Sequence, residues 1–310
     1  MPAGRTSWTC FSLRVPHAAV DALSDLLVAH GSPGVVTGVR DLRRPSTGTR
    51  VPRTTRVEGY FSGDIPLRAL RRELVAPLAR LAREFPGVEP RSARLARLRD
   101  ADYATAWRRH FPPIRLGRRF LVAPSWAATS ETRRIVLRID PGQAFGTGHH
   151  ATTRSCVAAI EPAVAETAPR RGLDVGCGSG ILSLAMRSLG VERVAAVDID
   201  PIARAATVEA ARENRLTGIR VLESLSAARG RFDLVVANLF APLLVELAPR
   251  LGGRVVPGGI LIVSGVLLRQ EGEVRAALER AGFVSLARSA LRGWVTLSMR
   301  RRRTHAPHTR

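Results

Sequence analysis

The stretch LDVGCGSGILSLAM, residues 173–186, constrains the fold of this chain more than any other. An apolar run ends at Asp174, and Gly176, Gly178 and Gly180 follow before an apolar helical pattern opens at Ile181. Glycines at a strand-to-helix turn let the backbone approach a ligand with no Cβ in the way. A bare tight turn would use the same residues, so the loop gains meaning only from its surroundings. The next apolar run, RVAAVDID, ends at Asp198, 22 positions beyond Gly176. An acid about 20 residues past such a loop, at the end of the following strand, reaches ribose hydroxyls, and a carboxylate can accept from both.

The repeat is G-x-G-x-G preceded by an acid, whereas the dinucleotide fingerprint is G-x-G-x-x-G. A cationic sulfonium gains from a nearby carboxylate and needs no phosphate cradle, so the pattern favours S-adenosyl-L-methionine over NAD. A third piece, FDLVVANLFAPLLVELAP, delivers Asn238 to the end of the fourth strand of the sheet, where a doubly wound fold places its ligand crevice. Asn238 there is suited to hold the methionyl group or an acceptor amine. The tetrad Asn238-Leu239-Phe240-Ala241 departs from the N-P-P-Y pattern of enzymes that methylate adenine or glutamine amides. Asp200, two positions beyond Asp198, reads as the start of the helix opening at Pro201.

Around these motifs the pattern predicts strands at 171–176, 193–198, 219–223, 232–238, 259–264 and 282–298, the last as an antiparallel pair. Helices fall between them at 150–167, 180–189, 201–214, 241–251 and 271–281. That alternation implies a parallel sheet. The first hundred residues read differently. A strand at 6–15, a helix at 17–30, strand-like GVVTGVRDL and TTRVEGYFS, a helix over 66–85 and a strand near 88–98 give β-α-β-β-α-β, a ferredoxin-like α+β order. The expected domains are 1–98, a linker segment at 99–140 with a short helix and strands, a catalytic α/β domain at 141–299 and a basic tail at 300–310.

The formal net charge is +22, and all 48 basic residues are arginine. An acidic partner such as RNA and a compositional bias explain that charge equally well. The arginine-rich end reads as a disordered tail or as an electrostatic arm touching ribosomal RNA. Three cysteines, Cys10, Cys156 and Cys177, are scattered and odd in number, which points to a reducing interior and a cytoplasmic protein. No stretch reaches the ~18 apolar residues of a membrane span.

The passage DPGQAFGTGHHATT, residues 140–153, holds three glycines, three threonines and adjacent His149 and His150. Adjacent side chains diverge, and no cluster with ligand spacing accompanies the pair, so a metal site is not expected. Thr152 or Thr153 would cap the helix that follows.

Taken in order and spacing, DPGQAFGTGHHATT, LDVGCGSGILSLA, AVDIDPIA and VVANLFAPLLVELAP resemble the ribosomal protein methyltransferase family PrmA, as does the upstream AWRRHFPPIRLGRRFLVAPSW. The resemblance implies a Rossmann-like class I methyltransferase domain that uses S-adenosyl-L-methionine to methylate amines of large-subunit ribosomal protein L-eleven. It places cofactor contacts on Thr153, Gly176, Asp198 and Asn238, with Gly146 to Gly148 as a flexible stretch and Phe145 beside the methionyl side. Thr147, Asp174 and Gly178 join the expected cofactor set, and Asn238 is the expected amine-orienting residue. The small domain would recognise the substrate, and the protein is expected to be a monomer. The sequence departs from the family at Asp102-Tyr103, where Asp-Trp is common, and at Phe240-Ala241, where Leu-Ala is. Three rival readings stay open: another protein's lysines, ribosomal RNA, or a ribosome assembly factor with a vestigial cofactor site.

Overall fold

A computed structural model describes residues 8–32, 35–37, 54–62, 66–98, 112–131, 133–140, 146 and 148–303. The readings at Asp102, Tyr103, Trp107, Phe145, Thr147 and the last seven residues lie outside that set. The chain divides into two compact units, with the break between Pro112 and Pro113.

The first unit contains β1 (Trp8–Pro16), α1 (Val20–Ala29), β2 (Val35–Thr37), β3 (Thr54–Ser62), α2 (Leu67–Glu84) and β4 (Arg94–Leu98). Its antiparallel sheet runs β2-β3-β1-β4. Alternation on β1 sends Phe11, Leu13 and Val15 into the core, where they meet Val57 and Phe61 of β3. Leu70, Leu74, Leu78 and Leu81 recur at helical spacing on α2 and close that core from one side. The strand expected near 88–98 is shorter, because Pro90–Ser92 form a 3₁₀ turn before it.

The second unit opens with a small sheet of β5 (Ile114–Leu116), β6 (Phe120–Ala123) and β7 (Ile135–Arg138). The main sheet follows. Its elements are α3 (Ala151–Thr167), β8 (Arg171–Val175), α4 (Ile181–Ser188), β9 (Arg193–Val197), α5 (Pro201–Glu213), β10 (Ile219–Leu222) and β11 (Phe232–Asn238). After them come α6 (Ala241–Arg254), β12 (Val255–Leu267), α7 (Glu271–Arg280), β13 (Phe283–Leu291) and β14 (Trp294–Arg301).

The seven strands lie in the order β10-β9-β8-β11-β12-β14-β13. Strands β8 to β12 pair in parallel, and β14 runs antiparallel to both its neighbours. The chain winds outward from β8 to β9 and β10, then returns to β11 on the other side of β8. That reversal is the topological switch point, where the loops at the carboxyl ends part and leave a crevice.

Period-two alternation gives the sheet two apolar faces. Leu173, Val175, Val235, Ala237, Leu261 and Val263 pack with α6 and α7. Leu234, Val236, Ile260 and Ile262 pack with α3 and α4. Residues 113–140, part of the 99–140 segment expected as a linker with a short helix and strands, belong to this second core: Leu116, Phe120, Val122, Leu137 and Ile139 are buried in it. Asn214, at the end of α5, accepts from the Arg138 N–H at 2.7 Å and donates to the Arg138 carbonyl at 2.7 Å. Likewise Arg300 and Arg301, assigned by the sequence to the tail, complete β14. Among the described residues no helix is long and apolar enough to cross a membrane.

Leu137→Ala therefore removes a fully buried side chain from the second unit's core and is expected to cost about 2–5 kcal/mol. Urea unfolding of the full chain measures this. A change under about 0.5 kcal/mol, the scale of an exposed position, would show that β7 lies outside that core.

Candidate functional site

Strand register brings three of the expected residues into one row. Val175 pairs with Val197 on β9 and with Ala237 on β11. One residue further along each strand stand Gly176, Asp198 and Asn238, at the carboxyl edge beside the switch point. The Gly176 N–H donates to the Val197 carbonyl at 2.8 Å, which continues the ladder into the loop. Alternation aims Asp198 and Asn238 to the face that carries Ala196 and Val236, the face covered by α3 and α4. Both are half-buried.

The loop between β8 and α4 folds as its glycines require. Gly176, Gly178 and Gly180 have φ of 76°, 51° and 82°, a region that side chains disfavour. A Cβ on Gly176 would lie 2.5 Å from the Leu239 side chain. The loop is also tied down from outside. Thr207, buried on α5, donates its hydroxyl to the Gly178 carbonyl at 3.0 Å and lies 3.2 Å from the Cys177 sulfur. Asp198 accepts from the Gly178 N–H and the Asp200 N–H, each at 3.0 Å, one on each oxygen. A carboxylate has about four acceptor positions, so two remain for a ligand's hydroxyls. Asp200 caps α5 through the Ile202 N–H at 2.8 Å, the role its place before Pro201 suggested.

Asp174 lies below the row and is fully buried. One carboxylate oxygen accepts from the Ser183 N–H at 3.0 Å and from its hydroxyl at 2.7 Å. The other has no hydrogen-bond partner. Burial pushes this carboxyl up to about 7, with the Asp198 charge acting in the same direction and the Ser183 bonds opposing it. Burial likewise pushes the Cys177 thiol up to about 12, so the sulfur in the loop is an inert, small side chain.

The polar passage ahead of α3 meets this loop directly. Gly146 and Gly148 have φ of 106° and 88°. The Ser179 hydroxyl donates to the Gly146 carbonyl at 2.6 Å. The cap expected of Thr152 or Thr153 is supplied instead by His150, whose Nδ1 accepts from the Thr152 N–H at 3.3 Å and lies 2.6 Å from its hydroxyl. The His150 ring stands edge-on to Trp294 at 5.3 Å between centroids. Burial, with Arg292 adding to it, draws the His150 pKa down to about 4, so the cap is a neutral imidazole. Thr153 is 1% exposed, yet its hydroxyl has no hydrogen-bond partner. One turn further along α3, buried Cys156 lies beside Ser264, the β12 residue that pairs with Asn238. The helix thus begins over the ends of β11 and β12.

Ser179, Ser183, Thr207 and the capping role of His150 were not singled out from the sequence. Two of them leave a signal there: Ser183 and Thr207 interrupt apolar helical stripes, and a polar group on a buried stripe needs a partner. Among the described residues no group of three or more His, Cys, Asp and Glu is placed to hold a metal.

Comparison with known proteins agrees with this geometry. The model of the family described as ribosomal protein L11 methyltransferase (PrmA) matches residues 7–302. This chain belongs to that family. A ribosomal protein L11 methyltransferase of Pelotomaculum thermopropionicum is 37% identical over 94% of this chain and 98% of its own. One from Geobacter sp. strain M21 is 38% identical over 96% and 99%. The crystal structure of a ribosomal protein L11 methylase from Lactobacillus delbrueckii subsp. bulgaricus superposes with a TM-score of 0.57 at 31% identity, covering 62% of this chain and 98% of that one. The catalytic unit is accordingly a class I methyltransferase domain.

The site fits the family's methyl donor, S-adenosyl-L-methionine. Gly176 offers backbone that a Cβ would block, Asp198 keeps free acceptor positions, and the Thr153 hydroxyl is buried with nothing to bind. An added methyl at Gly176 would strike Leu239 and strain a positive φ, so Gly176→Ala is expected to weaken cofactor binding at least tenfold, about 1.4 kcal/mol. Calorimetric titration measures it, and wild-type affinity would refute the assignment. Asp174 supplies a second test. Its folded-state pKa of about 7 stands above the ordinary 3.8. The folded form therefore binds the proton more tightly, and the stability this contributes is complete below the unfolded value and lost as pH rises through about 7. Asp174→Asn is expected to flatten the decline in thermal midpoint between pH 4 and 8, and an unchanged decline would count against a raised pKa.

Proposed function

We propose that this methyltransferase transfers methyl groups from S-adenosyl-L-methionine to lysine and N-terminal amines of large-subunit ribosomal protein L11. The observation that carries the reading is the row of Gly176, Asp198 and Asn238 beside an unpartnered, buried Thr153 hydroxyl, in a chain matched by the family model from residue 7 to 302. When bound, the cofactor supplies an electrophilic methyl group on a sulfonium, and the chain's residues position what surrounds it. Asp198 accepts the ribose hydroxyls, Gly176 and Gly178 let the backbone come close, and Thr153 donates its hydroxyl to the methionyl end. By the family resemblance Phe145, Gly146 and Thr147 belong to the same end of the cofactor.

A lysine amine titrates near 10.4 and an α-amine near 7.7–8.0, so the acceptor must shed a proton before it can attack. Leaving water for a half-buried crevice favours the neutral amine. The Asn238 carbonyl oxygen then accepts an N–H and aims the lone pair at the methyl group, and positioning supplies most of the acceleration. The small unit, whose β-α-β-β-α-β order and β2-β3-β1-β4 sheet support a ferredoxin-like reading, is the substrate-recognition unit. The protein works in the cytoplasm as a monomer.

Labelled cofactor offered to separate ribosomal protein and ribosomal RNA fractions tests the acceptor: label is expected on L11, and label confined to RNA would defeat the reading. Asn238→Ala is expected to lower turnover at least a hundredfold, about 2.7 kcal/mol of transition-state positioning, while cofactor binding is partly kept. Equal turnover in variant and wild type would remove Asn238 from its role.

A further inference from the structure

The segment Asn238–Leu239–Phe240 leaves the sheet edge between two glycines. The Leu239 N–H donates to the Ser264 carbonyl at 3.1 Å. Its side chain fills the space that a Cβ on Gly176 would need, and its backbone presses on Gly265, where any Cβ would strike the Leu239 carbonyl. Gly265 has φ of 86° and lies where the β12–β14 ladder shifts register. The backbone that carries Phe240 is therefore clamped, not loose.

Phe240 is the residue before α6, with φ −63° and ψ 145°, and it makes no side-chain cap. Ser, Thr, Asp or Asn would satisfy a free N–H at this position. Phenylalanine forfeits that bond and recovers little by packing, because it is 64% exposed. Leu243, one turn along α6 on the same side, is 38% exposed. An aromatic ring that caps nothing and stays mostly in solvent, on a rigid backbone two residues from Asn238, is placed for an incoming group.

We propose that Phe240 is the acceptor-side specificity residue of this site. Its ring and Leu243 take the alkyl chain of the amine-bearing side chain, and its π face holds the ammonium once methyl groups are attached. The proposal rests on the amine-acceptor reading above. In each transfer the nitrogen lone pair forms an N–C bond as the C–S bond breaks. The ammonium produced loses a proton to water before the next round. Each added methyl leaves the cation less hydrated, so it sheds water for the ring more readily, and the attraction to the ring persists. An aromatic at this position thus retains partly methylated product for another transfer. An aliphatic residue keeps only the alkyl contact.

The test compares the full-length wild type with Phe240→Ala and Phe240→Leu on ribosomal protein L11, reading acceptor KM, cofactor Kd and the number of methyl groups by intact mass. Phe240→Ala is expected to raise acceptor KM about fivefold, the ratio that roughly 1 kcal/mol corresponds to, with cofactor Kd within about twofold. Phe240→Leu is expected to hold KM near wild type while shifting product toward fewer methyl groups. Wild-type KM and an unchanged methyl distribution in both variants, with L11 methylated normally by wild type, would overturn the proposal alone. Label confined to RNA with the wild-type protein would overturn the amine-acceptor reading and this proposal with it.

Discussion

The turn from β8 into α4 closes only because three alternate residues take positive φ, and the rest of the site depends on that turn. With Gly176 free of a Cβ, its N–H continues the β9 ladder and Leu239 can lie across it. With Gly178 turned, its N–H meets Asp198 and its carbonyl meets Thr207. With Gly180 turned, the chain enters α4 so that Ser183 falls on Asp174. One short loop thereby ties together two strands, two helices and, through Ser179, the passage that leads into α3.

The electrostatics follow from where that loop sits. Asp174 is enclosed on the apolar α3–α4 face of the sheet, with one oxygen bonded to Ser183 and the other bare. Leaving a buried carboxylate half-satisfied costs stability, and the protein meets part of that cost by raising the pKa. A cation held at the row above would favour the ionised form again. The helix opening α3 adds no charge of its own, since burial keeps its His150 cap neutral. The crevice thus places its negative charge below and beside the row and leaves the Phe240 side apolar.

Much of this was legible in the sequence because it rests on local rules. The alternation of apolar runs gave most strands and helices from residue 171 onward to within a residue or two, though β12, expected at 259–264, runs Val255–Leu267; period two and period 3.6 are properties of the chain itself. Glycine spacing and the distance to Asp198 gave the loop and its acidic partner. Asp200 before Pro201 gave a cap. The segment expected at 99–140 as a linker with a short helix and strands did not disclose that its part from residue 113 onward joins the second core, for the opposite reason. Its three strands are only 3–4 residues each and close on α3, α4 and the end of α5, so their membership in that core is decided by distant partners. The cap of α3 also escaped, because His150 serves there only when burial and Trp294 hold its ring in place.

The sequence by itself determined which residue types stand at the ends of which strands, because glycine conformations, helix starts and apolar periods are set by neighbours along the chain. Only the tertiary structure decided that Gly176, Asp198 and Asn238 share one row, because parallel register couples residues 22 and 62 positions apart through two separate ladders. It also decided that the Thr153 hydroxyl is buried without a partner and that the Phe240 ring is left in solvent. Burial belongs to the packed whole, and no local pattern carries it.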